Sequence, residues 1–421
     1  MFQRTLLSLA AVLGFSQIAH AQTAVGPRGP VGPQASVTCV GTQLAPGANI
    51  QSVVNSKPAG TTFCLAAGTY SNQHITPKAG DQFIGAVGAI LDGGGTTNRA
   101  FVSTSATINV TVQNLIVQNY IGGYQVPAID GQNATGWRIL NNEVRQNDGV
   151  GIAFAGSALV QFNFLHHNLE MGYGSNPGSG ILIVDNEIAF NNYTNKYDCG
   201  DECGGGKLWA TTGAVVDHNY SHDNHGPGMW DDFNNTDIVY SFNRIENNLL
   251  MGIHHEIGYS ASIHDNVFLN NGASGKPPNM NPPCGWLWCA AISISASGGV
   301  GGGSIEIFNN TITTGSPSGN AIGLIQQNRA PSGDIQPSMG PWHVQNVWAH
   351  DNTIDLSKGG NIGGVQDENN NAMFIASVHN NRFDRNHYIL GTNKSPFLWN
   401  NKQGNKAFWQ GQGMDLNGTF Q

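Results

Sequence analysis

Charged side chains are scarce in this sequence. Lysine, arginine, aspartate and glutamate make up 11% of its 421 residues, too few for a charged helical bundle. No basic run interrupts a net charge of −9, so a nucleic-acid partner is excluded. The same charge repels a strongly anionic polymer unless a local basic patch or a bound cation compensates. Beyond the N-terminus no apolar run is long enough to span a bilayer, which excludes membrane insertion. The six cysteines contain no CxxC spacing, which argues against a zinc site.

Glycine (56 residues) and asparagine are abundant instead, and favour many tight turns. The opening "MFQRTLLSLAAVLGFSQIAHAQ" has one basic residue, an apolar run and Ala19-His20-Ala21. That is the layout of a secretory signal peptide over residues 1–21, with a short membrane anchor as the alternative. A secreted or periplasmic, soluble, monomeric protein is expected. In such an oxidising compartment the cysteines are expected to pair locally, as Cys39–Cys64, Cys199–Cys203 and Cys284–Cys289. The stretch "VGPRGPVGP" has too few triplets for collagen and reads as a stiff tether over residues 22–36. Residues 37–100, with short apolar runs punctuated by glycine, read as an N-terminal cap and first coils.

From there a repeat takes over: an apolar residue, asparagine three positions on, then an apolar residue two further. Ile139–Asn142–Val144, Val160–Asn163–Leu165 and Ile183–Asn186–Ile188 begin it. Tyr240–Asn243–Ile245, Ile263–Asn266–Phe268, Ile307–Asn310–Ile312 and Val378–Asn381–Phe383 continue it, and Asn219 and Asn352 keep half. The asparagines step by 21, 23, 33, 24 and 23 residues, then by 44, 42 and 29. A period near 22–24 with loop insertions describes a solenoid of short strands. A propeller would need blades of about 40 residues with signatures of their own. A buried asparagine at each turn can stack on its counterparts and satisfy backbone groups.

Asn-punctuated coils of this period resemble the right-handed parallel β-helix of secreted carbohydrate-active proteins: pectin and alginate lyases, glycoside hydrolases and mannuronan C5-epimerases. The resemblance covers about residues 37–400. It implies an all-β solenoid with an N-terminal cap, a β-helix over 101–400 and a C-terminal cap or tail over 401–421. It does not choose among reactions, because one scaffold hosts several.

Two stretches carry the chemistry, "GPGMWDDFNN" and "LMGIHHEIGY". Asn219 to Asn243 is 24 residues, and so is Asp232 to Glu256, which puts these acids one coil apart at equivalent positions. Strand alternation turns Met229, Phe233, Ile253 and Ile257 inward, and Trp230, Asp232, His254 and Glu256 outward. Adjacent rungs lie about 4.8 Å apart, so the two carboxylates meet and one is expected to hold its proton. That separates an acid from a base or nucleophile, as glycoside hydrolysis requires. Asp231 and His255 point inward, where they can pair, or sit at a corner where alternation breaks. The pattern also resembles the Asp and Glu one coil apart in β-helix glycosidases, which carries over to Asp232 and Glu256 alone.

Candidate substrate contacts surround the pair: Lys207, His225, Trp230, Asp231, His254, His255 and Tyr259. Lys207 would bond a sugar hydroxyl, act as a lyase base, or simply be solvated. Asp198, Asp201 and Glu202 form either a flexible acidic turn or a calcium site. Trp286 and Trp288, within the expected Cys284–Cys289 loop, suit stacking on a sugar ring or packing down on the coil. The leading reading is a glycoside hydrolase that needs no cofactor, with Asp232 as nucleophile or base and Glu256 as proton donor. A polysaccharide lyase or uronate epimerase is the second reading, with Lys207 or His225 as base and calcium on Asp231, Asp232 and Glu256. The third is a non-catalytic carbohydrate-binding protein, which needs the aromatic wall but not the acids.

Overall fold

Ile139, Val160, Ile183, Val216, Tyr240, Ile263, Ile307, Ala349 and Phe383 occupy matching places on successive strands and stack into one column. All nine are buried, because each three- or four-residue strand turns one alternate face inward. The structure is a computed structural model that describes residues 25–272, 286–301, 303–315, 319–329, 336–367 and 379–421. Three long sheets of 13, 13 and 12 strands form the faces of the coil. Their strands pair in parallel, apart from the antiparallel pair Phe397–Trp399 and Lys402–Gly404. The protein is thus an all-β right-handed parallel β-helix. The rungs already begin at Thr42–Leu44, and Thr419–Phe420 closes the last of them. Strands of the coil thus occur both in residues 37–100, expected to hold the cap and first coils, and in 401–421, expected to be a cap or tail. Two short helices lie near its ends, Ile50–Ser56 and Lys406–Gly411, each N-capped by an asparagine (Asn49, Asn405). Among the described residues no helix is long and apolar enough to cross a membrane.

The asparagine ladder satisfies backbone that the turns leave open. Asn219, for example, donates its backbone N–H and its side-chain amide to Asn243 Oδ1 (2.8 and 3.1 Å). Its amide also reaches the Ile183 carbonyl one coil back at 2.8 Å. The residue before each ladder position turns the chain in a left-handed conformation, even where it is Phe162 (φ 56°) or Phe242 (φ 51°). Each such residue costs about 1–2 kcal/mol, which the ladder's bonds offset. One expected position is corrected: Asn352 bonds Asn386 rather than Asn381, so the repeat there is Phe383–Asn386–Tyr388. A second ladder five residues further on was not foreseen. It runs through Asn147, Asn168, Asn191, Asn224, Asn248 and Asn271 at the next turn.

Disulfides join Cys39 to Cys64 and Cys199 to Cys203. Cys289 is also disulfide-bonded, and its expected partner Cys284 lies outside the described residues, as does the expected signal peptide. Such bonds suit an oxidising compartment.

The Gly/Pro stretch is not a free spacer. Gly26 and Gly32 take positive φ (85° and 78°) and donate their amides to the carbonyls of Phe242 and Phe162. Between them Arg28 clasps the buried Asp185 carboxylate through Nε (2.8 Å), Nη2 (2.7 Å) and its backbone N–H (3.0 Å). The segment thus straps several coils along the asparagine turn. Burial pushes the Asp185 carboxyl up, but Arg28 and Gln161 outweigh it and hold the group below the usual range. This stabilisation is present above the unfolded-state pKa and is lost as pH falls through the folded one. Arg28→Ala is expected to cost about 1–2 kcal/mol, the low end for a buried acceptor losing a charged partner, since Arg28 is half exposed. Urea unfolding should show that difference at neutral pH and not in strong acid. An equal difference at both would locate the effect elsewhere.

Candidate active site

On the third sheet, strands Gly204–Trp209, Met229–Asp232, Ile253–Glu256 and Ala290–Ser295 pair in strict register. One outer column reads Lys207, Trp230, His254 and Ser293; the next reads Trp209, Asp232, Glu256 and Ser295. Asp232 and Glu256 are therefore direct neighbours on adjacent strands, facing a cleft of about 710 Å³.

Although strand alternation turns both carboxylates outward, neither is freely solvated; their side chains are 16% and 10% exposed. Lys207 Nζ lies 2.8 Å from Asp232 Oδ2 and 3.4 Å from Glu202 Oε1. It also donates to the Asp201 carbonyl at 2.9 Å and sits 4.0 Å from the centre of the Trp230 ring. Arg329 pairs with Glu256 Oε1. Burial, and then the charge of Glu256, push the Asp232 carboxyl up against the opposing pull of Lys207 and Arg329. Burial alone would lower the Lys207 ammonium, but Asp232, Glu202 and Glu256 outweigh it, so its pKa is raised and it stays charged. His254, wedged between Trp230 and Trp288, is driven by burial to a pKa of about 3 and is neutral. Asp232 Oδ1 is buried with no hydrogen-bond partner among the described residues, ready to accept one or to carry a proton.

The other expected contacts are distributed differently. Asp231 and His255 face inward and are fully buried, with Asp231 Oδ2 2.5 Å from His255 Nδ1 and Oδ1 accepting from Tyr240 OH at 3.0 Å. They belong to the core, so neither is placed to touch a substrate, and Asp231 cannot join Asp232 and Glu256 around a cation. Tyr259 is buried and donates to the Gly340 carbonyl. His225 is half-buried against Asn195, away from the cleft. Trp288 packs down, its indole N–H on Asp367 at 3.0 Å, while Trp286 is exposed but does not line the cleft. Asp201 and Glu202 do line it, whereas Asp198 bonds its own turn through the Gly200 amide. Among the described residues, no group of three His, Cys, Asp or Glu side chains is arranged to hold a metal, the Asp198–Asp201–Glu202 turn included.

Sequence reasoning missed Arg329, which arrives 73 residues after Glu256, and the cleft aromatics Trp209 and Tyr124. Trp209 had a usable signal: it stands two residues after Lys207, in the column of the acids. It is 39% exposed and stacks on Phe233 with ring centres 5.6 Å apart.

Residues 127–312 match the family model described as a right handed beta helix region. No curated protein matches the sequence. Among solved structures, the Agl-KA catalytic domain is similar at TM-score 0.54 and 12% identity, over 88% of this chain. The chain spans 64% of that domain's length. The catalytic unit of a GH87 α-1,3-glucanase from Streptomyces thermodiastaticus gives 0.50 and 11%, over 93% of this chain and 70% of its own. The A-module of the mannuronan C-5 epimerase AlgE6 from Azotobacter vinelandii gives 0.52 and 13%, over 88% and 93%. At these identities the likeness is one of fold.

Proposed function

Because this right-handed parallel β-helix carries two carboxylates on neighbouring rungs of an open cleft, we propose that it is a glycoside hydrolase acting on an uncharged glycan. The in-register Asp232–Glu256 pair, each member with its own cation, is the observation that carries this reading. The roles reverse the assignment made from sequence. Asp232, whose pKa is raised, is the proton donor, and Glu256, backed by Arg329, is the nucleophile. Glu256 attacks the anomeric carbon as Asp232 protonates the departing oxygen; water, deprotonated by Asp232, then releases the sugar from Glu256. Placement on adjacent rungs favours the short carboxylate separation of a retaining enzyme.

The lyase or epimerase reading has one observation in its favour, the arginine at the site. Arg329 is already paired with Glu256, however, and Lys207 is a charged, fully engaged ammonium rather than a base. Even with Asp232 protonated, three acids (Asp201, Glu202, Glu256) against two cations leave the cleft no surplus positive charge to hold a uronate. Incubation with neutral and uronate polysaccharides tests this. New reducing ends from a neutral glycan support the hydrolase; an unsaturated, ultraviolet-absorbing uronate would replace it with the lyase.

Activity should follow a bell in pH, with macroscopic limbs belonging to the coupled pair. Asp232 acts protonated, so its raised pKa places the alkaline limb above the ordinary carboxylate range. A pH–kcat/KM profile whose activity falls already within that range would remove Asp232 from the role of acid.

A further inference from the structure

The acid pair stands at one end of its cleft, not in the middle. Along its own column exposure falls: Trp209 is 39% exposed, Asp232 partly exposed, Glu256 8%, and Ser295, Ile325 and Val365 zero. The cause is a second apolar cluster on the outer face of the sheet. There Trp288, Leu287, Ile325, Val365 and Leu398 pack over the coils that follow Glu256. Polar contacts fix this cover: Trp288 Nε1 to Asp367 (3.0 Å), Asn320 to the Trp288 carbonyl (2.7 Å) and Ser295 to Gln327 (2.9 Å). Arg329 closes the corner on Glu256 itself.

In the other direction the floor is low. The positions before Lys207 in the neighbouring column are Gly174 and Ala153, which leave a trough that Tyr124, Gln125, Gln132 and Asn176 border. From the strand of Ala153 to that of Glu256 the cleft crosses four rung spacings, about 19 Å, and then stops. A polymer threading past both sides of the scissile bond needs a trench open at both ends. Among the described residues, this one is open towards the N-terminal coils and closed beyond Glu256.

Building on the glycosidase reading, we infer that the enzyme acts at chain ends and releases a short product from a blind site. The terminal unit rests against Arg329 and the Trp288 cover, while the rest of the chain lies over Gly174 and Ala153 towards the N-terminal coils. Arg329 is then a reader of the chain terminus as well as the counter-ion of Glu256.

The test uses the whole protein and the neutral polysaccharide from which it liberates reducing ends. One short product should appear from the first minutes, with viscosity nearly constant, and a cyclic oligosaccharide of the same linkage should remain intact. Early loss of viscosity with a ladder of intermediate sizes, or opening of the ring, overturns chain-end action and leaves the glycosidase reading standing. No reducing ends from any neutral glycan would remove both.

Discussion

Asp232→Asn should lower kcat about 10²–10⁴-fold, the contribution of a positioned general acid–base, and Glu256→Gln, which removes the nucleophile, at least as much. Each swap keeps the shape of the side chain and removes its ability to ionise. Glu256→Gln deletes the charge that helps hold the Asp232 proton, so the residual activity should also lose its alkaline limb at lower pH than wild type. Asp232→Asn leaves Lys207 paired with Glu202, so the coil should stay folded. Steady-state kinetics beside a far-ultraviolet dichroism spectrum checks both points. Full activity in either variant, with the spectrum unchanged, would dismiss the pair as the catalytic centre. Wild-type affinity for the glycan in inactive variants supports chemistry over binding. A wild-type protein that binds the glycan and never cleaves it would bring back the carbohydrate-binding reading.

Lys207→Met should cost about 3–5 kcal/mol of stability, the penalty for stripping one partner from a covered ion cluster. Lys207 is 6% exposed and neutralises Asp232 and Glu202 together, so the variant leaves two acids in a covered site without their cation. Both pKa values are already raised, chiefly by burial, and losing the ammonium raises them further. The sign follows from linkage. An acid whose folded pKa exceeds its unfolded value loses stability as pH rises from the unfolded to the folded pKa. The Met variant should therefore be most impaired at neutral and alkaline pH and recover in mild acid, in denaturant titrations across pH. A loss independent of pH would point to the missing Trp230 contact rather than to charge. A stable but inactive Lys207→Met beside an active Glu256→Gln would install the lyase reading.

The sequence by itself determined the coil and the alignment of its acids. One asparagine per turn, bonded to its counterpart a coil later, keeps successive strands in register while insertions loop out between them. The 24-residue step from Asp232 to Glu256 follows from it as pure register. The second ladder was equally present in the letters, five residues after the first, and was lost among the many other asparagines. Asn381 was mistaken for Asn386 because both stand near an apolar neighbour; only the bond from Asn352 separates them. The inward turn of Asp231 and His255 was visible as parity, and their pairing was one of the two placements parity left open.

What only the tertiary structure decided lies where separate coils meet. Arg329 reaches Glu256 from a later coil, the apolar cluster around Trp288 seals the sheet beyond it, and the Gly/Pro segment lies strapped along the turns. Coil periodicity fixes the position of a backbone rung, but it carries no information about where an inserted loop folds back. The loops set the burial, burial set the Asp232 pKa, and the same burial gave the cleft its closed end.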